Sequence, residues 1–259
     1  VLFLLPVSNL CTTDWPKILG CCFFFGGYNK ETLVFNLDVV GVMTSLMIVS
    51  SAVLIIPSAL SSMTPWKLPE VDRCILHLSR VASIVLLIFY IVYLYFQLKS
   101  HADLFNNAND GPEEDNEVQL GPWAASIVLI LATLGVTFCS DALVDGVDGF
   151  VETWHISRAF IGLIIVPIVG NAGEFTTTVK AAIAGKMDLA IGVIVGATLQ
   201  IALFVTPFLV LCGWIIGQPM SLHFSTFETT ILAFTVIVVT CLIREGRSNY
   251  LEGLLLIGT

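Results

Sequence analysis

Ala159-Phe-Ile-Gly-Leu-Ile-Ile-Val-Pro-Ile-Val-Gly-Asn-Ala-Gly-Glu-Phe-Thr-Thr-Thr-Val179 reads as a membrane-spanning helix with a carboxylate, Glu174, in its middle. A charged side chain at that depth costs about 2.5–3.5 kcal/mol or more unless it meets a partner, an ion or water, so an ionisable residue there marks a functional site. Pro167 and Gly170 come just before it, where a helix would break, and Asn171 is one turn away. A broken helix carrying polar groups at mid-membrane is how many secondary transporters build an ion site.

The rest of the chain agrees with this reading. Hydrophobic residues make up 56% of the 259 and charged residues 12%, with a mean hydropathy of +0.92. Soluble domains carry roughly 25% charged residues, so the composition is that of an integral membrane protein. The net charge of −9 argues against nucleic acid as a partner. The seven cysteines lie mostly in or beside apolar runs, without zinc-type spacing, and read as small core residues.

A span needs about 20 apolar residues. Runs that satisfy this cover 37–60, 78–98, 122–144, 157–183, 188–216 and 224–243, with partial spans at Ile18–Gly27 and Tyr250–Thr259. They are apolar all round and too long for the alternating strands of a barrel, so they are expected to be helices. His101–Glu117 differs, holding six acids in seventeen residues. It reads as a solvated loop or as a cation-attracting element at a pore mouth. Lys30, Lys99, Lys180, Lys186, Arg244 and Arg247 share its side of the membrane, and Lys67, Arg73, Arg80 and Arg158 the other, which places the linker in the cytosol. Thr12-Thr-Asp-Trp-Pro-Lys17 interrupts residues 1–17 with two charges and a proline, and that stretch does not read as native span.

On a helix, Asn171, Glu174 and Thr178 share one face and offer only oxygen donors, which suit a hard cation such as Ca²⁺. A lone carboxylate can carry a proton instead, so one group could hold either H⁺ or a cation. The next helix carries Gly192, Gly196 and Gln200 at i, i+4, i+8. The glycine pair reads as a close helix–helix approach, Gln200 as a buried amide on the same stripe, and Pro207 as a kink two turns on. Pairing of Glu174 with a buried base is disfavoured, because no Lys or Arg lies mid-span. Asp38, Asp141 and Glu228 lie near span ends and read as interfacial. His77, His101, His155 and His223 lie in loops or at span edges and are assigned no chemistry. An intramembrane aspartyl enzyme would need two Asp deep in spans, and none is so placed.

Pro167-Ile-Val-Gly-Asn-Ala-Gly-Glu174 resembles the second signature of the Ca²⁺/H⁺ exchangers of vacuolar membranes, within the wider cation/Ca²⁺ exchanger superfamily. The similarity continues through Asp188–Phe204, Ser79-Arg80-Val-Ala, Tyr93–His101, Leu19–Gly27 and Phe35-Asn36, covers roughly residues 18–259, and is closest in phrasing to the fungal branch. The resemblance implies an all-α, polytopic, inverted-repeat fold, with about seven to eight of eleven transmembrane helices present. Residues 1–99 would be the C-terminal part of the first repeat, 100–121 the acidic cytosolic linker, and 122–259 a second repeat truncated in its last helix. It further implies that Asn171, Glu174 and Gln200 take part in the Ca²⁺/H⁺ transport site, with Gly170, Ala172 and Gly196 as motif residues. The family pattern departs at Phe175, where His is usual, and at Gly196-Ala-Thr-Leu-Gln200, where two hydroxyls are missing or displaced. The first repeat's Gly-Asn-Ala-x-Glu motif, which would precede residue 18, is absent from the chain.

The function expected is Ca²⁺/H⁺ antiport across the vacuolar membrane by secondary active transport, without enzymatic chemistry and without a cofactor beyond the transported ions. The chain is expected to be an N-terminally truncated fragment, inactive alone. The lipid bilayer is its partner, and a homo-oligomer is compatible with the sequence. The alternatives are Mn²⁺/H⁺ or Na⁺/Ca²⁺ exchange on the same fold, or a truncated non-transporting protein that regulates an intact exchanger.

Overall fold

The computed structural model describes residues 15–28, 30, 32–63, 69–102, 121–154, 170–218, 220–222 and 224–258. Some helices begin where the sequence supplies a side chain to hold the first turn. Helix α1 spans Trp15–Gly27. It starts three residues ahead of the expected Ile18 because Pro16 stands in the first turn, where its missing N–H is no loss. Trp15 and Pro16 are buried while Lys17 faces outward. The charge therefore does not interrupt the helix.

After strand β1, Leu33–Val34, helix α2 spans Leu37–Met63. The Asn36 side chain accepts a bond from the Asp38 backbone N–H at 2.9 Å, a standard way to satisfy an orphan donor at a helix start. The Asn36 backbone N–H donates to the Asp188 carboxylate, linking two elements 152 residues apart in sequence. Helix α3 spans Pro69–Tyr95 and continues as a π-helical turn, Phe96–Ser100. Helix α4 spans Pro122–Trp154. It runs ten residues past the expected end of its apolar segment, because the bilayer limits the apolar length of a helix but not its total length.

Of the expected span 157–183, residues 155–169, with Pro167, lie outside the described residues; helix α5 is Ala172–Ile183. Helix α6, Met187–Gln200, runs into a π-helical turn, Ile201–Val205, and then into α7, Thr206–Ile216. The irregularity expected at Pro207 is centred upstream of it. Pro207 provides no N–H for the carbonyl four residues back, and the widened π turn lies there. Gly217, at φ 79°, closes α7 in the left-handed region. Helix α8, Thr226–Ile243, opens with a capping box in which Ser225 and Glu228 satisfy each other's backbone N–H. Glu228 is thus a helix-start residue, consistent with an interfacial position. Strand β2, Arg247–Ser248, leads to helix α9, Tyr250–Ile257, capped by the Asn249 side chain on the Glu252 N–H at 3.0 Å.

Among the described residues, four helical stretches are long and apolar enough to cross a membrane: Leu37–Ser61, Arg73–Ser100, Met187–Ile216 and Thr226–Ile243. The chain forms two compact units, one of residues 1–109 with 167–259 and one of residues 110–166. The described part of the second is α4. In the first, the halves on either side of the acidic linker pack into each other. Helix α1 packs on α9, α7 on α3, and α2 on α8. The loop after α1 pairs with the turn after α8 through β1 and β2, Leu33 opposite Ser248 and Val34 opposite Arg247. Reciprocally, the loop after α7 is strapped to α2 and α3. Ser58 Oγ donates to the Leu222 carbonyl at 3.2 Å and accepts from the Phe224 N–H at 2.9 Å. Ser79 Oγ accepts from the Leu222 N–H at 3.1 Å. The Arg80 guanidinium lies 4.8 Å from the Trp214 ring, adding a cation–π contact between α3 and α7.

Close helix approach occurs at glycines other than those expected. A Cβ on Gly253 would lie 2.6 Å from the Phe24 backbone N, and one on Gly20 would lie 2.8 Å from the Gly253 carbonyl oxygen. The backbones of α1 and α9 therefore touch. Gly192 and Gly196 have nothing within 4 Å of an added Cβ, so the small-residue spacing on α6 is not a packing contact among the described residues. Such spacing permits contact without supplying the second helix.

Candidate functional site

Glu174 is placed by the break in front of it. Asn171 sits in a turn (φ −93°, ψ 0°), α5 begins at Ala172, and Glu174 lies in the first helical turn. The Asn171 carbonyl accepts the Phe175 N–H at 2.8 Å. A side chain in a first turn lies at the positive end of the helix dipole. The break expected around Pro167 and Gly170 thus falls at Asn171, directly after Gly170.

Asn171 and Glu174 open onto a small cleft with Trp15 and Ile18 of α1, Ile194, Ala197 and Thr198 of α6, and Ile201 of the π turn. Its free volume is about 20 Å³, room for roughly one water. Among the described residues no base lines it. The donors are all oxygens: the Glu174 carboxylate, the Asn171 amide oxygen and the Thr198 hydroxyl. The Thr198 hydroxyl donates its proton to the Ile194 carbonyl at 2.9 Å, which leaves its lone pairs free to accept or to ligate.

Two expected ligands are not in this cleft. Thr178 is buried at 1% exposure and gives its hydroxyl to the Glu174 and Phe175 carbonyls at 2.7 and 3.2 Å. Gln200 is exposed and does not line the cleft. Two residues separate it from Thr198, about 200° around an α-helix, so both cannot face Glu174. Gly170 and Ala172 are exposed on either side of Asn171, and Gly196 is half-buried beside open space. Thr198 is the residue that sequence reasoning missed. Its signal is present in Gly196-Ala-Thr-Leu-Gln200, where a hydroxyl is displaced rather than lost. Among the described residues no group of three His, Cys, Asp or Glu side chains could hold a metal. The cleft therefore provides one acid and neutral oxygens, less than the six to eight oxygens that Ca²⁺ takes.

Interrupted apolar helices around a carboxylate, an amide and a hydroxyl define a class: a multi-pass α-helical membrane protein with an oxygen-donor site at a helix break. The chain belongs to the sodium/calcium exchanger protein family, whose model matches residues 14–99 and 124–259. It is 38% identical over 240 residues to the vacuolar calcium ion transporter of Schizosaccharomyces pombe, covering 93% of this chain and 58% of the relative. It is 38% identical over 252 residues to vacuolar cation/proton exchanger 2 of Arabidopsis thaliana, covering 93% of this chain and 56% of the relative. The chain thus spans somewhat more than half the length of these relatives. Among solved structures, the Ca²⁺/H⁺ antiporter protein YfkE superposes with a TM-score of 0.77 at 29% identity, covering 99% of this chain and 73% of YfkE. The fold is that of the Ca²⁺/H⁺ antiporters.

Proposed function

We propose that this chain carries the second-repeat half of a Ca²⁺/H⁺ antiport site and works in the vacuolar membrane, exchanging Ca²⁺ against protons. Glu174 is the group that takes either ion, and Asn171 and Thr198 supply neutral oxygens beside it. Gln200 is not one of the groups that hold the ion in this cleft. The observation that carries the reading is the meeting of Asn171 and Glu174 at a helix break in a cleft whose described lining holds no base. The vacuolar names of the relatives support the location. A carboxylate that binds Ca²⁺ must give up its proton, so cation and proton compete for one position and move in opposite directions.

The test grafts residues 18–259 onto the preceding segment of the S. pombe relative and follows ⁴⁵Ca²⁺ uptake into acid-loaded vesicles. Loss of supporting groups around a metal costs about 10–100-fold, so Glu174→Gln is expected to lower uptake by at least about 100-fold. Uptake that survives the substitution would overturn the assignment. Sodium-driven uptake in the same vesicles, insensitive to the proton gradient, would favour Na⁺/Ca²⁺ exchange, the chemistry in the family's description.

A further inference from the structure

Arg80 is a charged residue inside a candidate span, and the antiport reading gives it no role. No charged residue lies between it and Lys99. At about 1.5 Å per helical residue the two stand about 28 Å apart along α3 and its π turn, close to the roughly 30 Å of a bilayer's hydrocarbon core. Each lies against an aromatic ring, Arg80 4.8 Å from Trp214 and Lys99 6.0 Å from Tyr95. The pair therefore marks the two edges of the apolar layer, with Arg80 at the edge away from the acidic linker. Its position is fixed, because the neighbouring Ser79 is fully buried and accepts the Leu222 N–H at 3.1 Å.

The indole takes one face of the guanidinium and leaves the N–H donors in its plane. Among the described residues none of these donors meets an acceptor, and no carboxylate pairs with the charge. Glu228, at the start of α8, has its carboxylate on the Ser225 N–H at 3.0 Å. Glu70 and Asp72 stand more than two turns back along α3. Unmet donors at the edge of an apolar layer are costly. The place opens outward, since Trp214 is 49% exposed and Ile215, next to it, 83%. A half-exposed tryptophan beside bare apolar side chains is what a membrane interface selects. Arg73 and His77, both exposed, follow the spacing i, i+4, i+7 with Arg80 and share its face of the helix.

We propose that Arg80, backed by Trp214 and flanked by Arg73 and His77, binds the phosphate of an anionic phospholipid in the leaflet opposite Lys99. A planar guanidinium fits a phosphate through two parallel N–H bonds. The exposed isoleucines beside Trp214 offer the lipid's acyl chains an apolar surface, and the basic stripe favours a headgroup that has no ammonium to cancel the phosphate charge.

The test is native mass spectrometry of the purified full chain in mild detergent, titrated with phosphatidylinositol and with phosphatidylcholine of the same acyl chains. Phosphatidylinositol is expected to bind at least about 10-fold more tightly, the scale of two or more basic side chains acting on a net negative headgroup. Equal binding overturns the proposal, because a guanidinium that only reaches interfacial water does not distinguish the two. Arg80→Gln is expected to lower the preference by about 10-fold, the scale of a charge-assisted bond, and Lys99→Gln to leave it as in wild type. A folded Arg80→Gln chain that keeps the preference, or an equal loss in Lys99→Gln, overturns the assignment to this site. Millimolar inorganic phosphate is expected not to displace the lipid. Displacement would show an anion site that needs no acyl chain, and would overturn the lipid as its occupant.

Discussion

Thr198 and Gln200 differ in what a sequence can say about them. Gln200 stands out as a buried amide in an apolar run, while Thr198 passes for an ordinary helical threonine bonding its own Ile194 carbonyl. Only the rotation of α6 decides between them, and that rotation turns the hydroxyl to Glu174 and the amide away. Thr198→Val keeps the shape and removes the oxygen. In the grafted chain it is expected to lower ⁴⁵Ca²⁺ uptake by roughly 10-fold, the scale of losing one supporting group at a metal site. Gln200→Leu in the same graft is expected to transport as the unmutated graft does. Equal losses for the two would mean that both residues reach the ion and that α6 turns when it binds. Glu174 and Asn171 stand out in the sequence because a carboxylate is rare within an apolar run and a turn-prone Gly-Asn pair sits directly before it. Thr178 shares their helical face by spacing alone, but its hydroxyl is taken up by its own helix.

Helix existence follows from apolar length, and the expected spans 37–60, 78–98, 122–144, 188–216 and 224–243 fall within α2, α3 with its π turn, α4, α6 with α7, and α8 with its N-terminal flank, while residues 157–169 of the span 157–183 lie outside the described residues. Which helix touches which did not follow. Helical spacing fixes a face but not its partner, so the small-residue stripe on α6 looked like a contact while the contact lies between α1 and α9. The two stripes therefore respond oppositely to the same substitution. Gly253→Ala places a carbon 2.6 Å from the Phe24 backbone N and 2.7 Å from the Gly20 carbonyl oxygen. It is expected to destabilise the protein by about 1–3 kcal/mol, the range for overpacking, since backbone cannot move aside as a side chain can. Gly192→Ala meets nothing within 4 Å. It is expected to be neutral or to stabilise by up to about 1 kcal/mol through helix propensity. Denaturant unfolding in mild detergent checks the pair, and a Gly253→Ala chain as stable as wild type would show that α1 and α9 do not meet through their backbones.

The acidic linker divides the sequence into two blocks, yet the fold does not separate along it. Every helix of the 15–102 segment packs on a helix that follows residue 170: α1 on α9 and α5, α2 on α8 and α6, and α3 on α7. The loops repeat the exchange, β1 with β2 in one direction and Leu222 with Ser58 and Ser79 in the other. Such reciprocity needs no covalent connection between the halves. A sequence cannot display it, because the periodicity of one helix carries no record of a partner more than a hundred residues away. Cutting the chain in the linker, at a protease site inserted after Gly111, is therefore expected to leave the two pieces together in mild detergent. They should co-elute on size exclusion and melt within a few degrees of the uncut chain, because the contacts of α1, α2 and α3 with the helices after residue 170 do not run through the cut. The buried serine straps give the comparison. With Ser58→Ala and Ser79→Ala together, the Leu222 N–H and carbonyl lose these partners at a site where Leu222 is fully buried. An unsatisfied buried group costs about 1–3 kcal/mol, so the cut double variant is expected to melt lower and to release a fraction of its pieces. Complete separation of the unmutated cut chain would show instead that the linker, and not the interlocked helices, holds the two halves in register.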